Sequence, residues 1–348
     1  MRRHQSWPAL RRFLGLLLPL VVILAASLPA CGRVPGASSS PSAPGRPAGG
    51  EFRLWQDAAI FDAVRSLLAA AGAGESLWVE MYEFDRPDLE EALVRAKGRG
   101  ADVRIIVDRT VAQSARAAVR MTARGLAVRA YPVDDSRHQI DHVKLLISGA
   151  ESLVGGMNWG RHSWANHDYV FETARRDVLL RLRAIFSQDW SIAGGQPAPL
   201  AAAPGPVAQT APGQEVRAML LGAIRQARRA VSGEVFVLTD PDVLMALAAA
   251  QRRGVEVRLL LDPAQDPNLA PYKLMRATGV EVRWYPVPPG SKLHSKAGLF
   301  DGEKLMVGSA NWSLSGLSVN HELDLMVEDP QAVRAFSDRF ERDWAASG

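Results

Sequence analysis

Two stretches of the chain carry a histidine followed two residues later by a lysine, and the second stretch is the richer one. Between Lys292 and Ser313 it places five polar residues close together, namely His294, Lys296, Asp301, Ser309 and Asn311. Alternate residues of a strand share a face, so the histidine and lysine are expected to point into the same space. Lysine supplies positive charge, serine and asparagine donate hydrogen bonds, and histidine is a nucleophile or proton carrier near neutral pH. This set suits a bound phosphate.

The first stretch repeats the pattern with two departures. His142 and Lys144 have the same spacing, and Asn158 stands in a Gly-Gly-Met-Asn-Trp run that matches Gly-Ser-Ala-Asn-Trp downstream. Gly149 lies where the second stretch has Asp301, and Gly156 lies where it has Ser309. A single histidine and lysine at this spacing would be typical of an ordinary sheet edge. The repetition favours function.

The repeat extends over most of the chain. Asp108 and Asp262 are 154 positions apart, and the triplets 166–168 (Asn-His-Asp) and 320–322 (Asn-His-Glu) keep the same separation. Each copy alternates strand and helix patterns, so we predict an internal duplication and an α/β protein. The predicted boundaries are an N-terminal lobe at 51–192, a Pro/Ala/Gly-rich linker at 193–213 and a C-terminal lobe at 214–348.

These motifs resemble those of the phospholipase D superfamily, His-x-Lys-x4-Asp followed by Gly-Ser-x-Asn and an Asn-His-Glu-like triplet. The resemblance implies two α/β/α-sandwich lobes that share one active site on a pseudo-twofold axis, with no cofactor and no metal, so activity should survive chelators. By the same resemblance His142 is the nucleophile and His294 the acid. It further implies that phosphate is held by Lys144, Lys296, Asn158, Asn311 and Ser309, that Asp168 and Glu322 orient the imidazoles, and that Asp301 supports its hairpin.

The N-terminus has the pattern of an export signal. Four arginines precede an almost wholly apolar run that extends to Ala30, and the only cysteine, Cys31, follows directly. We therefore predict a signal peptide at 1–30, a lipidated Cys31 and a flexible tether at 31–50, which together make an envelope lipoprotein attached to the membrane. An uncleaved membrane anchor is the alternative, because the apolar run is about long enough to span a bilayer.

Charge bears on the partner of the predicted site. The chain has a formal charge of +4, and all of that excess lies in the four arginines of the leader, so the remainder is formally neutral. A neutral chain lacks the broad positive field of a sequence-independent nucleic-acid binder. We predict a monomeric phospholipase D-type enzyme that hydrolyses phospholipids. Three alternatives stay open: a cardiolipin synthase-like transferase, a metal-independent endonuclease and a non-catalytic phosphate-binding protein.

Three further histidines and three tryptophans lie near the motifs. His138, His162 and His167 show no metal-ligand spacing, which favours loop or packing roles for them. Core packing is the expected role of the tryptophans, Trp159, Trp164 and Trp312.

Overall fold

The computed structural model describes residues 51–347. The predicted signal peptide, the tether and the lipidation site at Cys31 lie outside the described residues. The first half runs in the order β1 (Phe52–Gln56), α1 (Ile60–Ala70), β2 (Ser76–Met81), α2 (Pro87–Gly98), β3 (Asp102–Val107), α3 (Ala112–Ala123), β4 (Ala127–Ala130), β5 (Lys144–Ser148), β6 (Glu151–Gly155), β7 (Tyr169–Thr173) and α4 (Arg176–Ile192).

The second half repeats this order with one extra short helix. Its elements are β8 (Val207–Thr210), α5 (Glu215–Gln226), β9 (Ala230–Val235), α6 (Pro241–Arg252), β10 (Glu256–Leu261), α7 (Leu269–Ala277), β11 (Glu281–Trp284), β12 (Lys296–Phe300), β13 (Lys304–Gly308), α8 (Leu314–Ser318), β14 (Glu322–Val327) and α9 (Pro330–Ala346).

Each half builds one mixed seven-stranded sheet with the same strand order. The first sheet reads β1-β7-β6-β5-β2-β3-β4, and the second, read from its corresponding edge, is β8-β14-β13-β12-β9-β10-β11. In both sheets the three strands joined by helices are parallel, and each of the remaining four pairs antiparallel with its neighbours. The α/β class and the duplication predicted from sequence are confirmed.

Apolar residues from both halves form one continuous core. Strands of the two sheets meet there with α4 and α9, so that Phe171 and Phe186 of the first half belong to the same cluster as Leu305 and Phe336 of the second. Separate clusters cover the opposite face of each sheet beneath the remaining helices. Burial on this scale across the junction is the main force that holds the halves together.

One strand falls inside the predicted linker. Residues 207–210 form β8, which pairs antiparallel with β14 and is buried along its whole length. The linker prediction is therefore wrong for these four residues. The strand is short and lies between Pro206 and Pro212 in a Pro- and Ala-rich stretch, which is why the sequence pattern did not indicate it. Within residues 51–347, no helix combines the length and apolarity that crossing a membrane would take.

Candidate active site

The two halves meet through backbone hydrogen bonds at the motifs themselves. His142 donates its backbone N–H to the carbonyl of His321 over 2.8 Å, and His294 donates to the carbonyl of His167 over the same distance. The reciprocal bonds run from His321 to Ile140 and from His167 to Lys292. Each histidine-lysine segment therefore lies beside the Asn-His-Asp/Glu triplet of the other half.

This arrangement gives His142 a carboxylate from the second half. Its Nδ1 lies 2.9 Å and 3.1 Å from the two oxygens of Glu322, which also accepts from Ser309 over 2.6 Å and from Asn320 over 3.1 Å. Burial alone would raise the pKa of Glu322. The charge and the hydrogen bond of His142, together with the charge of Lys144, lower the pKa by more, so that it lies below its ordinary value. Glu322 is a buried carboxylate that stays ionised.

His294 is likewise held by a carboxylate of the other half, but the protonation state of this pair differs. Its Nδ1 lies 2.7 Å from Asp168 of the first half and 3.1 Å from the ammonium of Lys296. Burial raises the pKa of Asp168 to about 7 although Lys296 opposes the shift. Burial and the charge of Lys296 also hold the pKa of the His294 imidazole well below its ordinary value. Below about pH 7 Asp168 therefore carries a proton, whereas the His294 ring is neutral.

Both lysines are buried and fixed by equivalent contacts. Lys144 donates to the carbonyl of His142 over 2.6 Å, and Lys296 donates to the carbonyl of His294. Burial lowers the pKa of Lys144 to about 7 and that of Lys296 to about 8. A bound phosphate would favour the charged form of both groups, because an anion nearby stabilises an ammonium.

Two aromatic rings complete the surroundings of these side chains. Tyr82 packs edge-on against His142 with ring centres 4.7 Å apart, and Phe236 lies 4.9 Å from His294. Each ring centre also lies 5.0 Å from the ammonium of the lysine in the same motif. Sequence reasoning missed both rings, although their separation of 154 positions is the signal that could have found them.

The two asparagines of the motifs retain unused hydrogen-bonding capacity. Asn158 donates to Glu83 over 3.3 Å, while the side-chain oxygens of Asn158 and Asn311 are buried and meet no hydrogen-bond partner within the described chain. These oxygens accept hydrogen bonds, as phosphate oxygens do, so only the side-chain NH2 groups could donate to a phosphate. Both asparagines stay candidates for holding a phosphate through those NH2 groups.

Ser309 has a different role from the predicted phosphate contact. Its hydroxyl donates to Glu322 and accepts the backbone N–H of Leu323 over 2.9 Å, so it fixes the carboxylate that orients His142. In the first half a β-carbon at Gly156 would stand 2.2 Å from Asp168. The glycine at 156 is thus matched to its carboxylate: a serine supports the longer Glu322 in one half, and a glycine makes room beside the shorter Asp168 in the other.

Asp301 lies in the hairpin turn and ties it to the loop before β9. Its carboxylate accepts the backbone N–H groups of Arg228, Arg229 and Ala230 over 2.7 to 3.1 Å. In the first half the hairpin turn is one residue shorter. Near that turn Glu75 accepts the backbone N–H of Gly72 over 2.8 Å. The missing aspartate of the first motif therefore removes no group from the site.

The remaining candidates divide between surface and core. His138 and His162 are exposed, as is Trp164, whereas Trp159 and Trp312 are buried in the core. His167 is buried in a cluster of carboxylates that sequence reasoning did not foresee.

Comparison with known proteins agrees with this geometry. The sequence profile of the family described as "Cardiolipin synthase, PLD-like domain" matches twice, at residues 65–190 and 220–344. The two matches take up most of the chain, which therefore belongs to the phospholipase D-like family.

Individual relatives show how far the similarity extends. A human mitochondrial cardiolipin hydrolase is 32% identical over 133 residues, 38% of this chain and 52% of the relative. A cardiolipin synthase A of Pseudomonas putida is 28% identical over 292 residues, 73% of this chain and 58% of the relative. The chain thus spans about half the length of the curated relatives it matches.

Among solved structures, a phosphatidylserine synthase of Haemophilus influenzae shares the fold with a TM-score of 0.69. It is 13% identical and covers 85% of this chain and 86% of its own. A polyphosphate kinase of Porphyromonas gingivalis has a TM-score of 0.62 at 19% identity and covers 83% of this chain and 46% of its own.

Proposed function

We propose that the chain is a phosphodiesterase that releases the head group of a glycerophospholipid through a phosphohistidine. The observation that carries this proposal is the exchange of carboxylates between halves, in which Glu322 holds His142 and Asp168 holds His294. The charges of Lys144 and His142 also act on His294, and that of Lys296 acts on His142, so the two motifs lie close together. That constellation supplies a nucleophile, an acid and positive charge for the phosphoryl oxygens.

His142 is the nucleophile in this proposal. Its Nδ1–H is donated to the ionised Glu322, which leaves the lone pair on Nε2 free to attack phosphorus. The N–P bond forms as the bond to the leaving alcohol breaks. Attack leaves a positive charge on the ring, and an adjacent carboxylate that stays ionised stabilises that charge.

His294 is the acid. The ammonium of Lys296 lies within donor distance of its Nδ1, and Asp168 carries a proton near neutral pH, so Nδ1 acts as an acceptor and the ring proton sits on Nε2. That proton passes to the leaving alkoxide while the proton of Asp168 moves to Nδ1, so the ring stays neutral. Nε2 then takes a proton from the water that breaks the N–P bond, and the Nδ1 proton returns to Asp168, which regenerates both histidines.

A lipid substrate is supported by the relatives and by charge. The similar proteins named above are a cardiolipin hydrolase and a cardiolipin synthase. Without its leader the chain is formally neutral, whereas sequence-independent nucleic-acid binding depends on positive charge. We expect phosphatidic acid and a soluble head group as products, with little or no DNA cleavage.

A phosphatidyl transferase is the second candidate. The synthase relative aligns with 73% of this chain, nearly twice the share of the hydrolase relative. The chemistry is the same until the second step, when an alcohol replaces water.

One experiment separates these functions. The protein without its leader is incubated with mixed vesicles of phosphatidylcholine, phosphatidylethanolamine and phosphatidylglycerol, with and without glycerol, and separately with plasmid DNA. Phosphatidic acid in both lipid samples supports the hydrolase, and a glycerol-dependent phosphatidyl product supports the transferase. Ready DNA cleavage with intact lipids would contradict both and indicate the nuclease.

We also propose that the protein is an envelope lipoprotein anchored through Cys31, which would keep the site within reach of a bilayer. The Cys31→Ser variant is expected to leave the membrane fraction or to retain its leader. Normal processing and membrane fractionation of that variant would refute the anchor.

A further inference from the structure

Two buried clusters at the junction of the halves lie outside the proposed mechanism. In the first, His321 of the second half faces Glu80 and Asp189 of the first, and all three side chains are fully buried. In the second, His167 faces Glu234 and Asp343. Every pair of corresponding residues is separated by 154 positions, so duplication produced both clusters. Their present chemistry differs.

The His167 cluster is completed by a fixed cation and a hydroxyl. Arg339 donates to Asp343 over 2.7 Å and to Asp57 over 2.6 Å, and Asp57 also binds Nδ1 of His167. Glu234 accepts from His167 over 2.7 Å and from the Tyr169 hydroxyl over 2.9 Å. Two positive groups therefore stand against three carboxylates, and hydrogen bonds link all the members.

The His321 cluster has lost these partners. Ile185 stands at the position that corresponds to Arg339, and Leu323 at the position of Tyr169. A third carboxylate, Asp141, lies in the segment that bridges to His321. Within residues 51–347 the side-chain oxygens of Glu80 and Asp189 have no hydrogen-bond partner, nor does Nε2 of His321. At most one imidazolium thus faces three buried carboxylates.

The orientation of His321 is that of a metal ligand. Its Nδ1 lies 3.0 Å and 3.2 Å from the backbone carbonyls of Ala211 and Thr210, which accept the ring proton. Nε2 then presents its lone pair to the carboxylates. A backbone carbonyl on the far nitrogen is how metal-bound histidines are usually held.

We propose that Glu80, Asp189 and His321 bind a divalent cation, best matched by Zn²⁺, which joins the two halves. Nε2 of His321 lies 3.1 Å from Asp189 and 3.6 Å from Glu80. Bonds of about 2.1 Å in a tetrahedral zinc site place ligand atoms about 3.4 Å apart. The ion replaces the imidazole proton and supplies the positive charge that Arg339 supplies in the other cluster.

Metal analysis of matched variants tests this proposal. Tag-free full chain is unfolded, freed of metal, refolded with or without Zn²⁺ and passed through a desalting column. We expect about one zinc per chain in the wild type, a loss of most of it in Glu80→Gln and Asp189→Asn, and full retention in Glu234→Gln and Asp343→Asn. The wild-type melting temperature should rise with Zn²⁺, because the ion binds only the folded state.

A second variant covers the case in which the ligand substitutions prevent folding. Ile185→Arg introduces the cation of the other cluster and should give a folded chain that no longer binds zinc. The proposal is overturned if the refolded wild type holds no zinc and melts at the same temperature with and without it. Equal zinc in the wild type and in Glu80→Gln would also overturn it, because the ion would then lie elsewhere.

Discussion

The two histidine-lysine hairpins differ most where they are far from the site and agree where they meet it. The second hairpin has a three-residue turn, and its Asp301 accepts backbone N–H groups of the adjoining loop. The first has a two-residue turn, and near it Glu75 accepts the backbone N–H of Gly72. At the other end each hairpin carries a buried histidine and lysine, and the charges of the two motifs act on one another. The motif aspartate therefore belongs to hairpin stability, and its absence from one copy says nothing against catalysis.

A second difference lies in the carboxylates that the halves exchange. Glu322 is kept ionised by His142, Lys144 and Ser309, whereas burial leaves Asp168 half-protonated at about neutral pH. One pair is thus suited to stabilise a cationic adduct, and the other to hold a transferable proton. In the proposed mechanism, the two copies of one motif take the two complementary roles that a displacement at phosphorus requires.

Replacing Glu322 by Gln is expected to have the largest effect. The amide would donate to Nδ1 of His142 and force the proton onto Nε2, which removes the attacking lone pair. A wrong tautomer of this kind costs about 10³- to 10⁴-fold in kcat. The measurement is steady-state hydrolysis of a phospholipid, with circular dichroism to show that the fold is retained. Glu328→Gln, an exposed substitution on the same half, is the matched control and should change kcat little.

The corresponding change in the other pair, Asp168→Asn, should cost only about 10- to 100-fold, because an amide that donates to Nδ1 of His294 preserves the acid tautomer. In the wild type, kcat should fall as pH rises through about 7, where Asp168 loses its proton, and the variant should lack this limb. The measurement is a pH profile of kcat for both proteins. Equal losses in Asp168→Asn and Glu322→Gln would mean that the pairs are equivalent.

The same pKa has a consequence for stability. A carboxyl whose pKa is raised on folding stabilises the native state below its ordinary pKa, and this stability is lost as pH rises through about 7. Between about pH 5 and about pH 8 the wild type should therefore lose stability relative to Asp168→Asn, as measured by urea unfolding. A constant difference between the two proteins would show that Asp168 is already ionised at the lower pH.

The smallest effect on catalysis is expected at Asp301. Asp301→Ala removes the acceptor of three backbone N–H groups and leaves alanine at a positive φ of 56°, so unfolding should require about 1 to 3 kcal/mol less. Below the melting transition kcat should stay within about twofold of the wild type, because the turn does not touch the site. Glu75→Gln is the matched change in the first half and should cost less, since Glu75 accepts one backbone N–H.

Much of this arrangement could be predicted from the sequence because duplication makes it visible twice. The repeated spacing identified His142, Lys144, His294 and Lys296, and the constant separation of the two triplets pointed to Asp168 and Glu322. The exchange of these carboxylates between halves could not be predicted. Whether a side chain reaches its own copy or the other one depends on how the sheets meet, and sequence spacing carries no information about that.

Roles that depend on the rotamer of one side chain also could not be predicted from the sequence. Ser309 has the residue type of a phosphate donor, but its hydroxyl is used by Glu322. The strand at 207–210 escaped notice because it owes its burial to β14 and not to its own composition. The cluster around His321 was missed because its members are far apart in sequence and each is an ordinary residue alone.

Trapping the covalent intermediate tests the central claim most directly. The His294→Asn variant is mixed with a phosphodiester whose leaving group, p-nitrophenolate, needs no acid, and the protein is then quenched and digested for mass spectrometry. We predict a burst of about one equivalent of p-nitrophenolate and a phosphoryl group on His142, with neither in His142→Asn. A phosphoryl group on His294 in the His142→Asn variant, with no burst in His294→Asn, would contradict the assignment of the two halves.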